Sequence, residues 1–361
     1  MTKTITPVSF FFGANNKQKY ASLFSDIYKP EDDGMHYILK GGPGTGKSTL
    51  MKKVAAEFER RGYFVERGYC SADPLSLDVV IAPEINFSII DGTSPHGFDT
   101  TYPGVTEYII NLGDAWDKKY LKEYKTAIIN LTEENKSLHK KAAEFLRVAS
   151  QFKLANMQYC DKITDRKKLE SFAERLCKRE IPERKNAERG KINKRFLSAV
   201  TPDGIALQYE TIVALSERII TVNDEVSVCA PFIMNYIAET AVKNGYEIYV
   251  CYCPLFPNVK IEHIIIPELK LCFFTETKSH PTLVSEEKRI HASRFINKED
   301  FSEIKERVKF NYRLQEEMIE AAVKKISVAK GIHDRLEDYY IRATDFSVIE
   351  EMSDKLFKEI F

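Results

Sequence analysis

Eight consecutive residues carry the most specific chemistry in the sequence. Gly41, Gly42, Pro43, Gly44, Thr45, Gly46, Lys47 and Ser48 fit the pattern G-x-x-x-x-G-K-[ST]. The glycines let the backbone curl until successive N–H groups point inward, a concave array of donors suited to phosphate oxygens. The Lys47 ammonium is placed to reach the β- and γ-phosphates of a nucleoside triphosphate, and the Ser48 hydroxyl to ligate Mg2+. A helix that starts at the loop adds the favourable end of its dipole. The expected nucleotide-binding set is these eight residues with Thr49.

Such a loop needs an acidic residue at the end of a buried strand to help hold magnesium. The stretch Ile85-Asn86-Phe87-Ser88-Ile89-Ile90-Asp91 turns apolar and ends in a carboxylate before Gly92. Asp91 is therefore expected to join Ser48 at the metal and Lys47 in catalysis. Asp73, Asp78, Glu84 and His96 are weaker candidates, for a water-activating or substrate-binding role. No Glu follows Asp91, so the Asp-Glu pair common in ATPases is absent and the catalytic base is left open.

These side chains imply a strand, then the loop, then a helix. Tyr37-Ile38-Leu39 is an apolar run suited to a buried strand. Leu50, Met51, Val54, Ala55 and Phe58 recur on one helical face, and Gly62 closes the helix.

The pattern then repeats. Residues 39–70 align without a gap on residues 222–253. The helix face returns as Ile233, Met234, Ile237, Ala238 and Ala241, and Gly245-Tyr246 matches Gly62-Tyr63. Pro83–His96 matches Pro267–His280, and further on Ile110-Asn111 is matched to Ile296-Asn297. The phosphate ligands do not return: Asp224, Glu225 and Ser227 stand for Gly41, Gly42 and Gly44, and Cys229, Ala230 and Pro231 for Gly46, Lys47 and Ser48. Acidic side chains without a lysine repel a triphosphate. Thr275 takes the place of Asp91, so the carboxylate is lost in the half that lost the lysine. Glu84 and His96 persist as Glu268 and His280, which argues that they are structural.

Glycine and proline are absent from Asp114 to Ile181, where charged and apolar residues interleave as in long amphipathic helices. The length suits a helical hairpin with a break near Ser150–Asn156. Residues 301–361 read the same way. Lys178–Arg195 holds eight basic and three acidic residues and reads as a linker. The expected organisation is an active core at 1–113, a helical hairpin at 114–181, a basic linker at 182–194, a degenerate core at 195–297 and a helical appendage at 298–361. The 53 basic residues equal the 53 acidic ones, so no global charge steers the chain toward nucleic acid or an anionic membrane. No apolar run suits a membrane span or a signal peptide, and the seven cysteines lack zinc-like pairing even at Cys251 and Cys253. A cytoplasmic protein is expected, able to engage a protein partner through its helices.

The chain resembles a bacterial family of duplicated P-loop ATPases, over nearly its whole length. The residues that carry the resemblance are Gly13-Ala14-Asn15, Leu39–Ser48, Cys70-Ser71-Ala72-Asp73-Pro74, Asp91–His96, Tyr102-Pro103-Gly104 and Asn111-Leu112-Gly113. The resemblance implies ATP binding and hydrolysis and names no substrate. Members of that family often keep a glycine-rich, lysine-containing loop in the second half, and this chain departs there. The expected fold is α/β: two P-loop NTPase-like domains packed as an intramolecular pseudo-dimer, each a mainly parallel sheet with flanking helices and a helical hairpin. The leading expectation is a Mg-ATP hydrolase that drives a conformational change, its second half a pseudo-NTPase scaffold. A small-molecule or nucleotide kinase and a nucleotide-gated binding module with little turnover are the alternatives.

Overall fold

The computed structural model describes residues 7–16, 18–28, 33–93, 100–278, 280–282, 286 and 288–361. The first half contains β1 (Val8–Phe11), β2 (Gly13–Asn16), β3 (Lys19–Ser22), β4 (Met35–Lys40), α1 (Lys47–Arg60), β5 (Glu66–Tyr69), β6 (Leu77–Ala82), β7 (Phe87–Asp91) and β8 (Glu107–Asn111). Helices α2 (Lys118–Glu123), α3 (Lys125–Lys162) and α4 (Arg166–Glu180) follow. The second half repeats the plan with β9 (Ile192–Arg195), β10 (Ser198–Thr201), β11 (Gly204–Leu207), α5 (Tyr209–Leu215), β12 (Arg218–Asn223), α6 (Cys229–Lys243), β13 (Ile248–Tyr252), β14 (Ile261–Ile266), β15 (Leu271–Glu276) and β16 (Lys288–His291). It ends in α7 (Lys298–Ala343) and α8 (Phe346–Ile360). Among the described residues no helix is long and apolar enough to cross a membrane.

Each half builds a six-stranded sheet of the same order, β1-β5-β6-β7-β4-β8 and β9-β13-β14-β15-β12-β16. The sheets are mixed, not mainly parallel: β6 and β14 run antiparallel to both neighbours. The connections explain it. Residues 70–76 fold back through a turn in which Ser76 N donates to Asp73 O, and residues 83–86 turn at Asn86, with φ 49°. Neither is long enough for the crossover that parallel neighbours need. The Gly190–Arg195 end of the expected linker is part of the second core, because β9 pairs with β13 and Gly190 N donates to Val242 O.

The helices depart furthest from expectation. α3 runs without a break through Ser150–Asn156. The Ser150 hydroxyl bonds to Arg147 O, and Asn156 turns inward to Val308 O and Asn311 of α7. Nor does either helical segment fold on itself. α3 and α7 lie antiparallel, tied at both ends by Asn297 N to Ile163 O and Asp117 N to Ala343 O. Each long helix, about 57 Å for the 38 residues of α3, delivers the following helix to the opposite core. Leu169, Ala173, Leu176 and Cys177 of α4 pack with α6 of the second half. Leu356 and Phe357 of α8 pack with α1 of the first, where the rings of Phe361 and Phe58 lie 4.7 Å apart. The ends also reset the repeat: Asp117 and Asn297 both cap helices, and Asp165 corresponds to Asp345. The match of Ile110-Asn111 to Ile296-Asn297 was therefore out of register. Asn111 pairs beside Lys40 as His291 pairs beside Asn223, so those two correspond.

Candidate functional site

Strand register brings the loop and its carboxylate together. β4 lies between β7 and β8, with Leu39 beside Asp91. Gly92 N donates to Leu39 O, and Lys40 Nζ donates to Gly92 O at 2.8 Å, which fixes the strand ends where the loop begins. Gly44 and Gly46 hold φ of 69° and 89°, a backbone region that disfavours other residues. The Thr45 hydroxyl donates to Gly42 O at 2.8 Å and closes the turn. At the first position of α1, Lys47 is 8% exposed; its Nζ donates to Gly41 O at 3.0 Å and Gly42 O at 2.7 Å. The Asp91 carboxylate is 3.7 Å from that ammonium and accepts from the Thr93 N–H and hydroxyl. Ser48 Oγ accepts from Leu77 N at 3.0 Å, tying α1 to β6.

The remaining candidates separate. Asp78 is buried on β6, and Cys70 and Tyr20 lie close to it. Burial of its hydroxyl, then Asp78, Cys70 and Asp91, push the Tyr20 pKa well up. Asp73 is a turn residue: it accepts from the Ser76 hydroxyl and faces Lys330 of α7 at 3.7 Å. Glu84 is exposed and accepts from Phe64 N, away from the loop. His96 lies outside the described residues. Pro43 lies in the loop and Thr49 in the first turn of α1.

Sequence reading missed the residues that α7 and α8 lay over this loop. A side chain at Gly42 would strike the Tyr340 ring at 2.7 Å, and one at Gly44 would meet Ile341 at 2.8 Å and the Glu337 backbone at 3.2 Å. Ile349 of α8 lies near Gly46. The glycines thus also leave the room in which α7 and α8 pack on the loop. A stripe at 330, 337, 340 and 341 was visible as helical spacing, but nothing in it says which half it covers.

Comparison with protein-family models, curated proteins and solved structures finds no match. The site therefore rests on its own geometry.

The equivalent loop of the second half is filled from within. Ser227 adopts φ 58°, as Gly44 does at its position. The Asp224 carboxylate accepts from Ser227 N at 3.1 Å and Ala230 N at 2.7 Å, so it sits on the amides that a phosphate would need. Burial pushes its pKa up, partly offset by those hydrogen bonds. Cys251 and Cys253 are buried in this half, and among the described residues no group of three or more His, Cys, Asp or Glu is arranged to hold a metal ion.

Where the first half has Asp78, the second has Glu262, paired with Lys260 at 2.9 Å beside His263. His263 Nδ1 accepts from Thr275 N, and burial pushes its pKa down to about 3. Its folded pKa lies below the unfolded value, so its contribution to stability is present above about pH 6.5 and is lost as pH falls toward 3. Urea denaturation between pH 6.5 and 5 is expected to show a slope to which His263 contributes about one proton, on the order of 1 kcal/mol per pH unit, beside His280 and His139, whose pKa values burial also lowers; His263→Leu is expected to remove only its own share. An unchanged slope would show that this histidine does not titrate on unfolding.

Proposed function

We propose that this chain is a Mg-ATP-binding P-loop ATPase whose turnover moves the helices over the loop, with the second half acting as a pseudo-NTPase scaffold. The observation that carries the reading is the buried Lys47, bonded to two loop carbonyls and 3.7 Å from a buried carboxylate on the adjacent strand. Lys47 would place its charge on the β- and γ-phosphates, and the Gly41–Ser48 amides would stabilise charge on the transferring phosphoryl group without reorganising. The Ser48 hydroxyl and the Asp91 carboxylate are hard oxygen donors suited to magnesium, which takes one or two protein oxygens alongside phosphate oxygens. The ion would neutralise phosphate charge when bound. Asp224 supports the scaffold role of the second half, because it already satisfies the amides there.

The test is phosphate release from Mg-ATP by the purified protein beside Asp91→Asn. Loss of about 10- to 100-fold is expected, the usual cost of disturbing a group that holds a metal. Turnover equal to wild type would remove Asp91 from the site. Tight ATP binding with negligible turnover in the wild type would favour a nucleotide-gated binding module, a reading suggested by α7 and α8 lying on the loop.

A further inference from the structure

The same loop position lies beside an acidic residue in both halves, and the two acidic residues differ in how they are held. Ser227 N, in the second loop, donates to Asp224, a member of the loop itself. Its counterpart in the first loop is Gly44, against which Glu337 packs on α7, arriving from the other half of the chain, and the Gly44 N–H helps to lower the Glu337 pKa after His333 and Lys330. The backbone O and Cβ of Glu337 would lie 3.2 and 3.3 Å from a Cβ at Gly44, so the helix rests against the loop at this point. The Glu337 carboxylate is half-buried and pairs with His333 at 3.5 Å. Lys330, one turn further back, reaches Asp73 of the first core at 3.7 Å. On the other arm, residue 157 takes the place of 337 by the Asp165–Asp345 correspondence. Met157 packs with Val226 and Val228, offering no charge to a loop that already has one.

We propose that Glu337 is an exchangeable anion on the glycine-rich loop, competing with phosphate for the Gly44 amide, so that nucleotide binding releases the end of α7 together with α8. This rests on the triphosphate-binding reading of the loop. Two anions cannot share one N–H at low dielectric. A triphosphate brings a competing charge that several amides and Lys47 hold at once, whereas Glu337 has His333 and Lys330 to fall back on. Tyr340 and Ile341 sit on the same turn, so expulsion of Glu337 breaks their contact with Gly42 and Gly44 as well. In the second half the anion is built into the loop and cannot leave, which makes that half the fixed one.

The experiment is calorimetric titration of Mg-ATP, and of inorganic tripolyphosphate with Mg2+, into the wild type, Glu337→Gln, Glu337→Met and Lys47→Ala. Gln keeps an acceptor and the shape but not the charge; Met copies the equivalent position of the other arm. Both are expected to bind about tenfold tighter than the wild type, the order expected when a charged competitor leaves a hydrogen-bond donor. Hydrogen exchange over residues 333–349 of the wild type is expected to speed up when Mg-ATP is added. Unchanged or weaker binding in both variants, with binding abolished by Lys47→Ala, would overturn the proposal and leave the nucleotide site standing. So would slower exchange over 333–349 in the nucleotide complex. Absence of binding by the wild type and both Glu337 variants would overturn the nucleotide reading and this proposal together.

Discussion

Lys47→Ala is expected to lower Mg-ATP turnover by about 10²–10³-fold, the usual cost of removing one preorganised donor to developing charge. The ammonium is held where such charge would form: it is buried, bonded to Gly41 O and Gly42 O, and 3.7 Å from Asp91. Alanine removes the cation that faces Asp91, so the carboxylate and the phosphates would repel each other across the loop. Binding is expected to weaken along with turnover. Asp91 loses its cation, which costs stability, but it keeps both bonds from Thr93, and α1 loses a lysine that opposed its dipole, so a lower melting temperature with the fold retained is expected. Phosphate release, ATP titration and a melting curve on the same preparation check these outcomes. Turnover within about threefold of the wild type would place the reaction elsewhere in the molecule.

The parts of this arrangement that were legible in the sequence are those fixed by local chemistry. Four glycines, a lysine and a hydroxyl at fixed spacing describe a loop without reference to the rest of the chain. Asp91 was legible because an apolar run ending in Asp-Gly marks the end of a buried strand, and β4–β7 pairing then sets it opposite Leu39. The duplication was legible because the face of α1 and that of α6 must both fill a core. Strand direction was not, because alternation shows which face is buried and not which way a strand runs. The short connections 70–76 and 83–86 held the missing signal for β6. The exchange of helices was illegible for a related reason. An apolar stripe on α7 or α8 requires a partner surface, and two nearly equivalent cores offer one. Polar residues misled as well: Ser150 and Asn156 suggested a break, yet in the helix pair they are satisfied at Arg147 O, Val308 O and Asn311. Glu337 could not be found from sequence, because its importance depends wholly on which loop it reaches.

That reach depends on the joint between the halves, where a second large effect is expected. β1 meets the residue that follows β9 through paired hydrogen bonds between Phe11 and Phe196. Beside them the Arg195 guanidinium grips Glu66 at 2.8 Å, with side chains 3% and 2% exposed, while the Tyr249 hydroxyl donates to the other Glu66 oxygen at 2.7 Å. Phe12 covers the guanidinium at 4.5 Å. Glu66→Ala leaves that cation buried without its counter-ion and Tyr249 without its acceptor, and is expected to cost about 3–5 kcal/mol in urea denaturation. Arg195→Met made together with Glu66→Leu is expected to recover most of that loss, because removing both charges also removes the cost of burying them. A loss below about 1 kcal/mol for Glu66→Ala would mean that water reaches the joint and the pair is a surface contact. If the larger loss is found, the joint does more than hold two copies together. The first loop receives Glu337, Tyr340 and Ile341 only from a helix anchored in the second half, so Glu66→Ala is also expected to loosen the contact of α7 with Gly42 and Gly44, seen as faster hydrogen exchange over residues 333–349.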